Sequence, residues 1–303
     1  MSAIGQEDAA QPVVDICICT FRRTSLRATL ESLATQEGAQ GFRVIVADND
    51  ETPSAETLVT EAGKMLNLDI RYLHAPARNI SVARNACLDA ATGPLVAFID
   101  DDEIASPGWL KAMIGGLGEL DVVFGPVQAR YPANAPDWAV QGDFHSFGPA
   151  IRANGKIDTG YSSNTLFRRE IIGSLRFDPA LGRTGGEDTF FFARLHQAGV
   201  RLGFCGAGVV FEPTAPERVN LGWLVRRAFR SGQTHAQVLK ARGEGALAVA
   251  AIAGGKALYC GVGALATLWS PVRWRRLLLR AALHAGVAAK AFGVRDVEIY
   301  GGS

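Results

Sequence analysis

Short apolar, β-branched runs alternate with stretches of helical periodicity through the first part of the chain. Val13 to Thr20 reads as a strand, and Phe21-Arg22-Arg23-Thr24 breaks it before Ser25 to Gln36 takes up a helical period through Leu26, Leu30 and Leu33. Arg43 to Ala47 is a second strand, ending in Asp48-Asn49-Asp50. Pro53-Ser54-Ala55-Glu56 then opens a helix carrying Leu58, Val59, Ala62 and Leu66. The unit repeats: Ile70 to Leu73 is followed by Ser81 to Ala91, Leu95 to Ile99 by Trp109 to Leu117, and Asp121 to Val127 reads as a fifth strand.

This alternation predicts an α/β fold, a doubly wound and mostly parallel sheet with helices on both faces. In such a sheet the ligand site lies beyond the carboxyl ends of the strands. Polar residues gather at those ends: Thr20 to Arg23 after the first strand, Asp48 to Asp50 after the second, Asp100 to Glu103 after the fourth. Four consecutive acids repel one another unless a cation joins them, and oxygen ligands suit a divalent one. In isolation such a run is an ordinary solvated turn capping the next helix. The convergence of three polar loops on one crevice favours a site.

Composition narrows the chemistry. The chain has 303 residues, 48% of them hydrophobic, with a net charge of +1, so no global field draws it to nucleic acid. Five cysteines (Cys17, Cys19, Cys87, Cys205 and Cys260) are odd in number and lie in apolar runs without zinc-like spacing, which favours a reducing compartment. Residues 1–12 are polar, include Glu7 and Asp8, and read as a disordered lead-in without a signal peptide. No Gly-x-Gly-x-x-Gly follows the first strand and no Gly-Lys-Ser/Thr loop occurs, so neither a dinucleotide fingerprint nor a P-loop is present. A metal bridging Asp100 or Asp102 to a diphosphate would replace them.

The composition shifts after Arg242. Ala246 to Trp269 is rich in Ala, Gly, Leu and Val with Lys256 its only charge. It is long enough to cross a bilayer, but alanine, glycine and a central lysine insert poorly, and a pair of packed helices is the competing reading. Arg273, Arg276 and Arg280 then fall on one helical side near Trp269, Trp274, Leu278 and Leu279, as in a helix lying among headgroups. Residues 241–303 are therefore expected to form a helical, membrane-associating region, peripheral or monotopic.

Several motifs occur together in order: Asp15-Ile16-Cys17-Ile18-Cys19-Thr20-Phe21-Arg22-Arg23, Val46-Ala47-Asp48-Asn49-Asp50, Arg78-Asn79-Ile80-Ser81-Val82-Ala83-Arg84-Asn85 and Asp100-Asp101-Asp102. Tyr161 to Arg169 and Gly185-Gly186-Glu187-Asp188 follow. Over roughly residues 13 to 235 this pattern resembles the inverting family 2 glycosyltransferases with a GT-A fold, of the bacterial kind that builds exopolysaccharides and other surface glycans. Ile80 departs from it, standing where many members have glycine.

The resemblance implies a GT-A domain over residues 13–240 and metal-dependent transfer from a nucleotide-sugar donor, UDP-glucose or similar, to a lipid-linked saccharide acceptor. It implies a place at the cytoplasmic face of a bacterial inner membrane. Asp48 is expected to accept a hydrogen bond from the base, a helix-entry cap being the plain alternative. Thr20, Arg22 and Arg84 are expected to line the nucleotide site. Asp100 and Asp102 are expected to contact the ribose and Mg2+ or Mn2+, with Asp101 and Glu103 in support.

Asp188 is the expected base and Glu187 its positioning neighbour, although acids at a helix start are also ordinary caps. Asn164 and the Ser162-Ser163 pair are candidates for sugar hydroxyls, and Arg227 and Arg230 for a donor or acceptor diphosphate, against a solvated helix face. Trp138 and Trp223 suit either sugar stacking or core packing. His145, His196 and His235 read as structural or surface residues. A non-catalytic sugar-nucleotide-binding subunit is the alternative function; a nucleotidyltransferase lacks its glycine-rich triphosphate loop.

Overall fold

The computed structural model describes residues 13–37 and 41–297, so the lead-in expected to be disordered lies outside the described residues. The first half runs β1 (Val14–Thr20), α1 (Leu26–Ala34), β2 (Phe42–Asp48), α2 (Glu56–Leu66), β3 (Ile70–His74), α3 (Ile80–Ala90), β4 (Leu95–Phe98), β5 (Ile104–Ala105), α4 (Trp109–Leu117) and β6 (Val122–Phe124). There follow β7 (Val127–Arg130), α5 (Asp137–Gly142), β8 (Thr165–Arg168), α6 (Glu187–Gln197), β9 (Leu202–Phe204) and β10 (Val210–Pro213). Three long helices close the chain: α7 (Leu221–Ala241), α8 (Ala246–Ala266) and α9 (Pro271–Ala291).

The main sheet has the order β3-β2-β1-β4-β8-β6-β9, parallel except for β8, which runs antiparallel to both β4 and β6. Successive residues of a strand point to opposite faces, and β1 uses both. Ile16 and Ile18 pack with Leu30, Val59 and Trp109 on one side. Cys17 packs with Ala83, Cys87, Phe191 and Phe192 on the other. The bottom of the sheet is locked by Asp15, fully buried, which accepts from Thr92 N and Gly93 N at 2.6 and 2.7 Å and pairs with Arg43 at 2.8 Å.

One strand departs from the sequence expectation. The run from Asp121 to Val127 is two strands in two sheets, because Gly125-Pro126 interrupts it and proline has no N–H to give to a ladder. β6 stays in the main sheet, while β7 joins β10 and β5 in a small sheet of order β5-β10-β7. A Cβ at Gly125 would lie 2.1 Å from the Gly208 carbonyl oxygen, so the chain turns here only without a side chain.

The tail is a packed helical layer. α9 lies against both α7 and α8, and the α7–α9 crossing is close: a Cβ at Gly232 would be 1.9 Å from the Leu283 oxygen, and one at Gly286 would be 2.0 Å from the Phe229 oxygen. α8 is the one helix among the described residues that is long and apolar enough to span a bilayer, yet most of it stands free of the protein. Leu247, Leu258, Tyr259 and Leu265 on α8 and Trp269 after it are each at least 70% exposed. Arg276 does not join this outer face; it donates to the Gly142 oxygen at 3.0 Å and ties α9 to α5.

Candidate active site

The carboxyl ends of β1, β2 and β4 place three loops side by side. Thr20 closes β1 and donates from Oγ1 to Asp101 Oδ2 at 2.7 Å, with both residues buried. Burial pushes the Asp101 carboxyl up to about 6 against that donation. Arg22 adopts a left-handed φ of 53°, and its Nε reaches Asp50 Oδ2 at 2.8 Å. That contact holds the Asp50 carboxyl down to about 2.

Asp100 and Asp102 remain accessible at the end of this crevice. Asp102 pairs with Arg23 at 3.1 Å, and Asp100 lies 3.9 Å from Arg84. Desolvation, reinforced by the charges of Asp102 and Asp101, lifts the Asp100 carboxyl to about 7. Glu103 is buried and accepts from Asp100 N at 2.9 Å, so it shapes the turn. Burial and then Asp100 raise its carboxyl well above the usual range. Glu212, on β10, joins the acids from a remote part of the chain, and its carboxyl is raised by burial and by Asp102.

Asp48 closes β2. It is fully buried, and its oxygens accept from Asp50 N at 3.0 Å, Ala55 N at 2.8 Å and Tyr72 OH at 2.9 Å. This carboxylate ties the β2 loop to the start of α2, the plain capping alternative, and offers no surface to a base. Asn164 stands just before β8. Also fully buried, it accepts from Trp109 Nε1 at 2.9 Å and donates to the Pro126 and Gly208 oxygens at 3.0 and 2.7 Å, which leaves nothing for a sugar hydroxyl.

Arg84 connects the two sides of the site. It is buried on α3, pairs closely with Glu187 at the start of α6, faces Asp100, and lies over the Phe177 ring at 5.5 Å. Burial alone would lower its pKa, but Glu187, Asp100 and Asp188 overrule it. Desolvation raises the Glu187 carboxyl in spite of Arg84. Arg84 thus joins the loop after β4 to the start of α6, a connection invisible in the sequence.

Asp188, half-buried in the first turn of α6, accepts from Thr189 N at 2.6 Å through Oδ1, while its Oδ2 accepts from none of the described residues. It lines a cavity with Arg227 and Arg230 of α7. Trp223 is packed against His145, their rings 5.6 Å apart, and Arg275 covers Trp138 at 4.5 Å, so both tryptophans serve packing.

Two contributors had no role in the sequence reading. Phe21, 38% exposed just past β1, has the Arg22 and Arg78 guanidinium groups over its ring at 5.3 and 6.0 Å. It lay inside a motif but looked like a loop residue. Glu212 carried no local signal at all, because the pairing of β10 with β5, Phe211 opposite Ile104, brings it beside the acids.

Comparison with known proteins agrees with this layout. The sequence model described as glycosyl transferase family 2 matches residues 15–176. The chain is 44% identical over 296 residues to the succinoglycan biosynthesis protein ExoM of Rhizobium meliloti, covering 95% of this chain and 96% of that protein. It is 26% identical to a glucosyl-dolichyl phosphate glucuronosyltransferase of Haloferax volcanii, over 72% of this chain and 75% of that one. Among solved structures, the mannosyltransferase PcManGT from Pyrobaculum calidifontis, in complex with GDP-Man and Mn2+, superposes with a TM-score of 0.62 at 19% identity, covering 93% of this chain and 88% of that one. The fold, the order of the loops and a relative matched along nearly its whole length converge: the chain belongs to glycosyl transferase family 2.

Proposed function

We propose that this glycosyltransferase moves a sugar, with inversion, from a nucleotide diphosphate donor to a lipid-linked saccharide in exopolysaccharide synthesis. UDP-glucose or a close relative is the donor in this reading. The observation that carries it is the pairing of an open carboxylate oxygen, Asp188 Oδ2, with a separate cluster of accessible acids, Asp100 and Asp102, across the Arg84–Glu187 bridge. An inverting displacement needs a base on one face of the anomeric carbon and charge stabilisation of the leaving group on the other.

Asp188 takes the proton of the acceptor hydroxyl as its oxygen bonds to the anomeric carbon, and the bond to the diphosphate breaks on the opposite face. Glu187, held by Arg84, fixes the start of α6 and hence the direction of Asp188. Phe21 supplies a face on which a base stacks, flanked by Arg22 and Arg78. Hard carboxylate oxygens suit Mg2+ or Mn2+, and Asp102 and Asp100, whose charges oppose each other, are the residues that would hold it. Bound there, the ion would act as a Lewis acid toward the departing diphosphate.

The relative ExoM supports the exopolysaccharide assignment, and the bare apolar face of α8 supports work at a lipid surface. Asp188→Asn should abolish sugar transfer from radiolabelled donor to membrane lipid extract while leaving nucleotide-sugar affinity intact. Near-normal turnover would sink the assignment of the base.

A further inference from the structure

A cavity of about 250 Å³ lies between the start of α6 and the middle of α7, walled by Gly185, Asp188, Arg227, Arg230, Thr234 and His235. Arg230 is only 8% exposed, and its hydrogen bond among the described residues runs from Nη1 to Thr234 Oγ1 at 2.8 Å. It has no ion-pair partner there. The other buried arginine of the described residues, Arg84, is matched by Glu187. A desolvated guanidinium without a counter-charge is costly, and an arriving anion would relieve it.

No side chain of the two glycines beside it lies over Nη2. Gly185 and Gly186 have φ of +83° and +91°, and a Cβ at Gly185 would stand 2.8 Å from Arg230 Nη2. The glycine pair therefore lets α6 approach the guanidinium without a side chain over it. Arg227 adds a second cation on the same wall, lying over Trp223 at 5.3 Å and Phe147 at 5.7 Å. Asp188 is the carboxylate in this wall, and it is the base of the proposed transfer.

We infer that this cavity receives an oxyanion carried by the acceptor within one sugar ring of the attacking hydroxyl. Arg230 and Arg227 hold it as a charge-assisted clamp. The inference rests on the transfer proposed above, because the base and the leaving diphosphate of an inverting reaction occupy opposite faces of the anomeric carbon. An anion on the Asp188 wall therefore belongs to the acceptor. Two sources share this chemistry: a phosphate on the anomeric oxygen of a short lipid-linked acceptor, and a carboxylate on an acidic acceptor sugar.

The test is titration of the full chain, with UDP and Mn2+ saturating the donor side, by inorganic phosphate and separately by glucuronate. Wild type, Arg230→Gln and Thr234→Val are compared. One of the two anions should bind wild type and lose about ten- to a hundredfold in affinity in Arg230→Gln, the loss of a charged hydrogen bond. Thr234→Val keeps the volume, leaves Nη1 without its hydroxyl partner and should hold the same anion at least as tightly as wild type, a clear loss counting against the clamp. It also serves if Arg230→Gln fails to fold. Preference for phosphate identifies the lipid phosphate, and preference for glucuronate identifies an acidic sugar. The inference is overturned if neither anion binds wild type, or if Arg230→Gln weakens UDP binding as much as anion binding, which would move the cavity to the donor side. Failure of wild type to bind UDP with Mn2+ at all would instead count against the proposed transfer.

Discussion

Replacing Arg84 by methionine removes the positive charge facing Glu187 in a pair whose side chains are 8% and 6% exposed. Glu187 then has two ways to respond: remain ionised in a dry site, or take up a proton. The second sets a ceiling on the damage. Keeping neutral at pH 7 a carboxyl whose ordinary value is 4.5 costs about 3 kcal/mol. That lies at the low end of the ~3–5 kcal/mol typical for breaking a buried ion pair from one side.

The pH dependence follows with a definite sign. The folded-state value of Glu187 is already raised by desolvation, and without Arg84 it rises further. A carboxyl raised on folding favours the fold below its unfolded value and loses that advantage as pH rises through the folded value. The deficit of Arg84→Met relative to wild type should therefore shrink by up to about 1.4 kcal/mol per unit of acidification, between the folded value of Glu187 in the variant and its folded value in wild type. A smaller, pH-independent remainder comes from the lost packing over Phe177. Urea unfolding of wild type, Arg84→Met, Glu187→Gln and the double variant across this range measures it, the double variant showing no such slope. A deficit under about 1 kcal/mol at pH 7, or one that does not change with pH, would refute the reasoning.

Asn164→Leu should cost about 2–4 kcal/mol in urea unfolding, because it strands the Trp109 indole N–H and two carbonyls in the core; a loss within measurement error would show that water replaces them. The pair Leu258→Glu and Leu265→Glu, both on the outer face of α8, should leave the melting temperature unchanged and abolish flotation with phosphatidylglycerol vesicles; undiminished flotation would remove α8 from the membrane contact.

The regular part of the fold is legible in the chain because β1 to β4 and α1 to α4 each announce themselves by a local period and a local stop, whereas the two-residue β5 does not. β4 ends in acids, α2 follows Pro53, and α4 begins after Ser106-Pro107, all visible within a few residues. What escaped depends on distant pairing. β8 is four residues long and antiparallel between two strands, and β10 brings Glu212 to the acids from more than a hundred residues away.

Motif position also identified loops better than it identified tasks. Asp48 and Asn164 sit in those segments, and local groups engage them: Asp48 accepts from a backbone N–H at the α2 entry and from the tyrosine of β3, while Asn164 accepts from an indole and donates to two carbonyls. Whether a polar side chain faces the crevice or its own loop depends on burial, which no spacing encodes. Arg84 shows the reverse case, a residue at the site whose partner lies across the fold.

The glycine crossing of α7 and α9 decides where the chain can be cut. Excision after Ala241, the apparent edge of the catalytic domain, would strip the cover from Gly232 and leave the α7 groove that fits the α9 backbone facing solvent. The same helix carries Arg227 and Arg230 into the site. A fragment made for solubility should therefore keep α9 and the Arg295–Val297 segment that bonds Gln233, and polish the outer face of α8.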